Sequence, residues 1–486
     1  MQDQAVGKEV YVIDDTAEII IGLEIHCQLN KLNSKLFCGC STKHHDAEPN
    51  THTCPVCLGL PGALPVINKK AVEYTIMVGL ALGCQIAEHT QFYRKNYYYP
   101  DLPRGFQITQ YDYPIAADGA LTVEADGGVE RTVRIRRVHM EEDPGRLVHQ
   151  GSIETSKFVL VDYNRSGMPL IEVVTEPDLR SPKEARRFIN KLRNILEYLD
   201  VFDGSLPGSL RVDANISLKG GARAEVKNIS SYKGVERALL FEISRQQNMK
   251  RRGVKVVQET RHYDEERNCT ISLRSKEQAE EYRYYPESDL VPLAVRSWQH
   301  RLKESLPELP GAKRERFKAQ YGISDNHAKV LTAEIRDANY FEIVAGKIDP
   351  VMAATWVADY LKGELNYRDR DIRDAFEPEN MIYILEQLKR GIITDKGAVE
   401  IIRTLLDEGG EPREIISRKS LAKVESDITR TAVAEVIKEN NEAIQDYRSG
   451  KAQAFNYLVG MVMKKTRGRA DPAEINTLLK ELLECT

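Results

Sequence analysis

The stretch Ile19-Ile20-Ile21-Gly22-Leu23-Glu24-Ile25-His26-Cys27-Gln28-Leu29 alternates with the period of a β-strand. Its odd positions are apolar, whereas Glu24, His26 and Gln28 fall on the opposite face. Three further segments repeat the pattern. In residues 133–141 the odd positions carry His139 and Glu141 to one side. In residues 210–218, Leu210, Val212, Ala214, Ile216 and Leu218 face inward, and Arg211, Asp213 and Asn215 share the other face. In residues 222–227, Glu225 and Lys227 oppose Ala224 and Val226. One such strand reads equally well as a solvated sheet face. Four of them, if adjacent, line one surface with carboxylates and imidazoles.

Clustered carboxylates cannot all remain ionised without protons or a cation. An oxygen-rich site with a few imidazoles suits Mg²⁺ or Mn²⁺, ions that accompany phosphates. Arg131, Arg134, Arg136 and Arg137 precede His139-Met140-Glu141-Glu142-Asp143 and add basic groups nearby. Absent motifs narrow the class. There is no GxxxxGK[ST] and no GxGxxG, so neither a P-loop nor a dinucleotide fingerprint is expected. HExxH and GxSxG are also missing.

Four of the eight cysteines cluster as Cys38-Gly39-Cys40 and Cys54-Pro55-Val56-Cys57. Two close pairs on a short loop can converge four thiolates on one tetrahedral zinc ion. Four thiolates leave no open coordination position, so this ion is expected to be structural. A chain of 486 residues has core enough without disulfides. With no apolar run near the roughly 20 residues of a membrane helix and no visible signal peptide, the expected location is the cytoplasm. Lys+Arg 69 against Asp+Glu 73 gives a net charge of −4, so any nucleic-acid surface must be local.

The expected plan is α+β. Residues 1–18 read as an N-terminal extension and 19–294 as a mixed sheet and helix domain. Helical periodicity then takes over in 295–408, and Gly409-Gly410-Glu411-Pro412 opens a helical tail, 409–486. Ser181-Pro182-Lys183-Glu184 reads as a capping box, followed by an apolar stripe of Leu192, Ile195, Leu196 and Leu199. Asp471-Pro472-Ala473-Glu474 resembles the same start, with Ile475, Leu478, Leu479 and Leu482 as its stripe.

Further motifs carry a family resemblance. They are Gly22-Leu23-Glu24-Ile25-His26, Arg94-Lys95-Asn96-Tyr97-Tyr98-Tyr99-Pro100-Asp101 and Gln107-Ile108-Thr109-Gln110-Tyr111-Asp112. His139-Met140-Glu141-Glu142-Asp143, Asn164-Arg165-Ser166-Gly167-Met168-Pro169-Leu170-Ile171-Glu172 and Gly208-Ser209-Leu210-Arg211-Val212-Asp213-Ala214-Asn215 follow, then Glu225-Val226-Lys227-Asn228 and Tyr282-Arg283-Tyr284-Tyr285-Pro286-Glu287. From about Glu18 to the C-terminus the chain resembles the B subunits of aspartyl/glutamyl-tRNA(Asn/Gln) amidotransferases. Val212 stands where a Cys is common in that family, and Met168 where a Thr is common. The large synthetase-like insertion of the related archaeal E subunits has no room here.

The resemblance implies a cradle-shaped N-terminal domain, a helical domain and a small YqeY-like helical tail. It implies a ligase of the carbon–nitrogen type with glutamine as amido donor. Such B subunits would use ATP and Mg²⁺ to phosphorylate the side-chain carboxylate of misacylated Glu-tRNA(Gln) or Asp-tRNA(Asn). Ammonia from the glutaminase, the A subunit of a heterotrimer that also contains a C subunit, would then complete the amide. Carried over motif by motif, Glu24, His26, Glu141, Asp213 and Glu225 are expected to converge on one catalytic Mg²⁺ site, with Lys227 in the same reaction cradle. Cys38, Cys40, Cys54 and Cys57 are expected to hold Zn²⁺. Lys464, Lys465, Arg467 and Arg469 fall together after an apolar stripe and are expected to contact tRNA phosphates. The alternative class is a non-enzymatic tRNA-binding factor with a structural zinc, which would not need the carboxylate set.

Overall fold

The computed structural model describes residues 18–149, 158–229, 231–275, 282–423, 426–449, 451–466 and 468–484. The N-terminal extension, apart from Glu18, lies outside them, as do Arg467 and Cys485. The chain forms two compact units that divide between Leu309 and Pro310.

The first unit is built on a sheet of twelve described strands. Along its main path the order is Cys269–Ser275, Glu259–Asp264, Ala224–Ile229, Leu210–Leu218, Ile19–Gln28, Met168–Thr175, Glu130–Asp143, Phe106–Thr109, Tyr93–Asn96 and Tyr285–Pro286. Neighbours on this path are antiparallel except Ala224–Ile229 with Glu259–Asp264, which run parallel. A parallel pair needs a crossover, and helix Tyr232–Arg251 supplies it.

Period-2 alternation then sorts the side chains. Ile21, Leu23, Ile25 and Cys27 are fully buried, or nearly so, in one apolar core. Val212, Ala214, Ile216, Ala224 and Val226 join them from adjacent strands. Helices Lys69–Ala81, Pro182–Tyr198 and Tyr232–Arg251 contribute Val72, Ile76, Phe188, Leu192, Leu196, Val235 and Leu239 to the same core. The helices therefore cover one face, and the polar residues of the strands are left on the other.

Helix Pro182–Tyr198 begins as the sequence signals, with Ser181 Oγ accepting from Glu184 N at 3.2 Å. The return bond of a capping box is not made. Glu184 Oε2 accepts from Arg180 N at 2.8 Å, one residue early, and pairs with Arg131 Nε at 3.0 Å. Arg134 and Arg136 are likewise held, by Asp178 and Glu176, so three of the four arginines before His139 serve structural ion pairs.

Both expected domain boundaries shift. Helix Gln299–Glu304 stays with the first unit, because Leu302 is buried in the sheet core and Trp298, Leu306 and Leu309 pack against it. The change to helical periodicity near residue 295 thus precedes the change of core. Within the second unit, a core from Phe317 to Ile415 includes helix Pro412–Arg418, which belongs with the helices before the Gly409-Gly410 break. A separate small core runs from Ala432 to Leu483 and holds helices Ser426–Glu439, Ala452–Lys465 and Pro472–Glu484 together through Val433, Leu458, Val462, Ile475 and Leu479. No described helix is long and apolar enough to cross a membrane.

Candidate active site and cysteine knuckle

Strand register decides which polar residues meet. Glu24 lies opposite Asp213, and His26 opposite Arg211 on one side and Glu172 on the other. Glu172 is opposite His139, and Leu170 opposite Glu141. Asn215 is opposite Glu225. Residues directly opposite in an antiparallel pair share a face. The outward rows therefore run across five strands from Glu225 and Lys227 to His139 and Glu141.

Two groups result where one was expected. The first contains His26, Glu141 and Glu172, with ligand-type atoms within 4.8 Å of one another. His26 Nε2 is 3.5 Å from Glu172 Oε2 and 3.6 Å from Glu141 Oε1. His139 Nε2 approaches the same Glu172 oxygen at 3.2 Å. Burial opposes charge on His26, but Glu172 first and Glu141 after it overcome that penalty and raise its pKa to about 9. Burial likewise opposes charge on Glu172, and His139 and His26 overcome it, holding the carboxyl well below its usual range.

The second group is Glu24, Asp213 and Glu225, again within 4.8 Å. Lys227 Nζ sits between two of its members, 2.8 Å from Asp213 and 2.7 Å from Glu225. Asn215 Nδ2 donates to Glu24 Oε1 at 3.0 Å. Burial, with Glu172 adding repulsion, raises the Glu24 pKa above the ordinary value. The division has a geometric cause. Glu24 and His26 are successive outward residues of one strand, roughly 7 Å apart along it, so each collects its own neighbours.

Glu172 and His139 were not among the expected site residues. Met168–Thr175 is buried along its whole length, so it shows no alternation for a periodicity argument to use. Its signal is a lone carboxylate inside an apolar run. Lys95 is a further cation facing this region. Burial works against its charge, and Glu141 more than compensates, raising its pKa. Its Nζ lies 4.8 Å from the Tyr282 ring centroid.

Cys38, Cys40, Cys54 and Cys57 bring their sulfurs within 4.8 Å of one another. The four-thiol set fits a tetrahedral S₄ zinc site. Buried Lys35 reaches Cys57 Sγ at 3.6 Å and also donates to His52 O at 2.8 Å. A hydrogen bond between Cys38 and Cys57 lowers the pKa of Cys57, with the Lys35 charge adding to it, and raises that of Cys38. The knuckle is tied to the sheet. Ser166 Oγ donates to Cys57 O at 3.0 Å, and Gly167, at φ +81°, brings the backbone before Met168 against Cys57.

In the tail, Lys464 and Lys465 end helix Ala452–Lys465. Lys464 is exposed. Lys465 is held by Glu435 at 2.8 Å and Glu439 at 2.7 Å. Arg469 turns back to Thr466 O and Ser420 O, both at 3.4 Å. The expected basic patch is thus partly neutralised by its own domain.

Residues 19–300 match the family profile described as the GatB/GatE catalytic domain, and residues 339–483 match the one described as the GatB domain. The chain is 58% identical to the aspartyl/glutamyl-tRNA(Asn/Gln) amidotransferase B subunit of Methanococcoides burtonii, over 97% of this chain and 100% of that protein. It is 59% identical to the protein of the same name from Methanosarcina mazei, over 97% and 99% of the two chains. The corresponding protein of Methanospirillum hungatei is 59% identical over 96% and 98%. With both halves of the chain matched and the relatives covered end to end, this chain belongs to the family of aspartyl/glutamyl-tRNA(Asn/Gln) amidotransferase B subunits.

Proposed function

We propose that the polar sheet face activates the side-chain carboxylate of Glu-tRNA(Gln) or Asp-tRNA(Asn) for amidation. A free carboxylate resists ammonia, because its charge repels the nucleophile and oxide is not a leaving group. In the first step a carboxylate oxygen attacks the γ-phosphorus of ATP, the bond to the β,γ-bridging oxygen breaks, and ADP leaves. In the second, ammonia attacks the acyl carbon, the bond to the phosphate oxygen breaks, and phosphate leaves as nitrogen loses a proton. The products are Gln-tRNA(Gln) or Asn-tRNA(Asn). A glutaminase, the A subunit, supplies the ammonia, and a C subunit completes a heterotrimer working in the cytoplasm.

The observation that carries this reading is the pair of acid-rich groups side by side on one sheet face. Their donors are carboxylate oxygens and one imidazole, the set that hard divalent cations take. His26, Glu141 and Glu172 would hold one Mg²⁺, and Glu24, Asp213 and Glu225 another. Bound Mg²⁺ would offset repulsion between the substrate carboxylate and the triphosphate. Lys227 supplies a fixed cation beside Asp213 and Glu225. Cys38, Cys40, Cys54 and Cys57 would hold a structural Zn²⁺. A purely tRNA-binding role gives these carboxylates nothing to do.

The test is transfer of labelled γ-phosphate to misacylated tRNA. Glu24→Ala or Glu141→Ala should abolish it while zinc content and tRNA affinity stay near those of the unaltered protein. Full ATP-dependent transamidation by Glu24→Ala at limiting Mg²⁺ would overturn the assignment.

A further inference from the structure

Lys35 is completely buried, which is rare for a side chain whose charged head almost always reaches water. The local backbone explains how it gets there. A bridge between Ser34 and Ser41 closes the segment ahead of the knuckle, with Lys35 N donating to Cys40 O at 2.9 Å. Leu36 N donates to Gly167 O at 2.9 Å, which presses the segment against the turn 163–167. The Lys35 stem then passes Gly167, where a Cβ would lie only 3.6 Å from Lys35 Cδ.

An ammonium has three donors and no acceptor. Lys35 Nζ directs its donors to His52 O at 2.8 Å, Tyr163 O at 3.4 Å and Cys57 Sγ at 3.6 Å. Its hydrogen bonds are satisfied, but its charge is not. Lys35 makes no ion pair with a carboxylate among the described residues. A buried cation without an anion is strongly unfavourable. The group it touches that can carry negative charge is the Cys57 sulfur.

The sulfurs have the complementary deficit. Cys38, Cys40, Cys54 and Cys57 lie within 4.8 Å of one another, and Cys57 is 3% exposed. Four thiolates around one Zn²⁺ leave a net negative charge in a place that water screens poorly. Cys57 Sγ accepts from Cys54 N at 3.2 Å, which supplies a dipole, and from Lys35, which supplies a full charge.

A purely mechanical tie between knuckle and turn does not need that charge. Asn164 already makes the tie twice, accepting from His52 N at 2.7 Å and donating to Glu48 O at 2.7 Å. Ser166 Oγ makes it a third time at Cys57 O. We propose that Lys35 is a positioning residue of the zinc site, whose ammonium offsets the thiolate charge and holds the Cys57 sulfur in place for the metal. The inference rests on the reading of the four cysteines as a zinc site. Partners that hydrogen-bond to metal ligands typically change metal affinity 10–100-fold when removed.

The test uses the full-length chain, loaded with Zn²⁺ or with Co²⁺ in its place. Lys35→Met keeps the stem and removes the charge. Lys35→Gln keeps a donor without the charge, so either variant that folds answers the question. Ser166→Ala weakens the tie and keeps the charge. Zinc affinity is measured by competition with a chromogenic chelator, and the sulfur-to-cobalt charge-transfer band by absorption. The Lys35 variants should bind zinc about 10–100-fold more weakly. Their band should move to longer wavelength, because a sulfur that has lost a cationic donor gives up charge to the metal more easily. Ser166→Ala should leave the band in place. Weaker zinc binding with an unmoved band in the Lys35 variants would make Lys35 a mechanical tie only and overturn the proposal, as would unchanged affinity. In both cases the band of the unaltered protein leaves the four-thiolate reading standing. An unaltered protein that takes up neither metal with a thiolate band overturns that reading and this one together.

Discussion

Glu172 is placed between two imidazoles, His26 at 3.5 Å and His139 at 3.2 Å, with little solvent to screen them. Removing one partner from a buried charged network leaves the others uncompensated, at a cost of about 3–5 kcal/mol. Glu172→Ala should therefore lower the melting temperature of the first unit as well as end phosphoryl transfer. A loss of transfer with unchanged melting would show that Glu172 has no such structural share. His44 illustrates the opposite case, a histidine held neutral. Burial, with repulsion from His45 adding to it, lowers its pKa from 6.5 to about 4. A group depressed in the folded state contributes stability that is fully present above pH 6.5 and is lost as pH falls toward 4. Because the ring is only partly buried, the loss should be about 1–2 kcal/mol. His44→Phe should flatten the melting temperature between pH 6.5 and 4 relative to the unaltered protein. An identical pH profile in the variant would refute the role of this ring.

At the scale of elements, caps and loop staples carry the testable energetics. Ser181 supplies the one side-chain cap at the start of helix Pro182–Tyr198, whose Phe188, Leu192 and Leu196 are fully buried. Ser181→Ala should cost about 1 kcal/mol in chemical denaturation. The cysteine knuckle is tied to the turn before Met168 by Ser166, which donates to Cys57 O, and by Lys35, which reaches both Cys57 Sγ and Tyr163 O. Metal analysis should find about one zinc per chain, the stoichiometry of a single four-thiolate site. Protein kept reduced and free of chelators yet lacking zinc would remove that assignment. Much of this level was legible in the sequence. Ile19–Gln28 and Leu210–Leu218 follow the alternation of their residues closely, because one face is buried under helices and the other is not. Met168–Thr175 was not legible in this way, since burial on both faces erases the period that would have exposed Glu172. Nor does alternation set register. The separation of Glu24 from His26 into different groups appears only once Asp213 and Glu172 are placed opposite them.

For the whole molecule, a net charge of −4 means that a polyanionic substrate must be met by local charge. The tail residues were expected to provide it, and their setting refines that expectation. Lys465 already answers to Glu435 and Glu439, so its release to a phosphate would require giving up both. Lys464 is exposed at the end of the same helix and carries no such cost. Each phosphate contact contributes about 0.9 to the slope of log affinity against log salt. Lys464→Ala should therefore weaken tRNA binding and reduce that slope by roughly one contact, whereas Lys465→Ala alone should do less. The informative variant is the double change Glu435→Gln with Glu439→Gln. Freed from its acids, Lys465 should strengthen tRNA binding at low salt and steepen the slope. Glutamine hydrolysis by the proposed glutaminase partner, measured without tRNA, should stay unaltered. If neither lysine change nor the double change moves affinity or slope, the tail's cations serve its own fold, and the tRNA backbone is held by another surface.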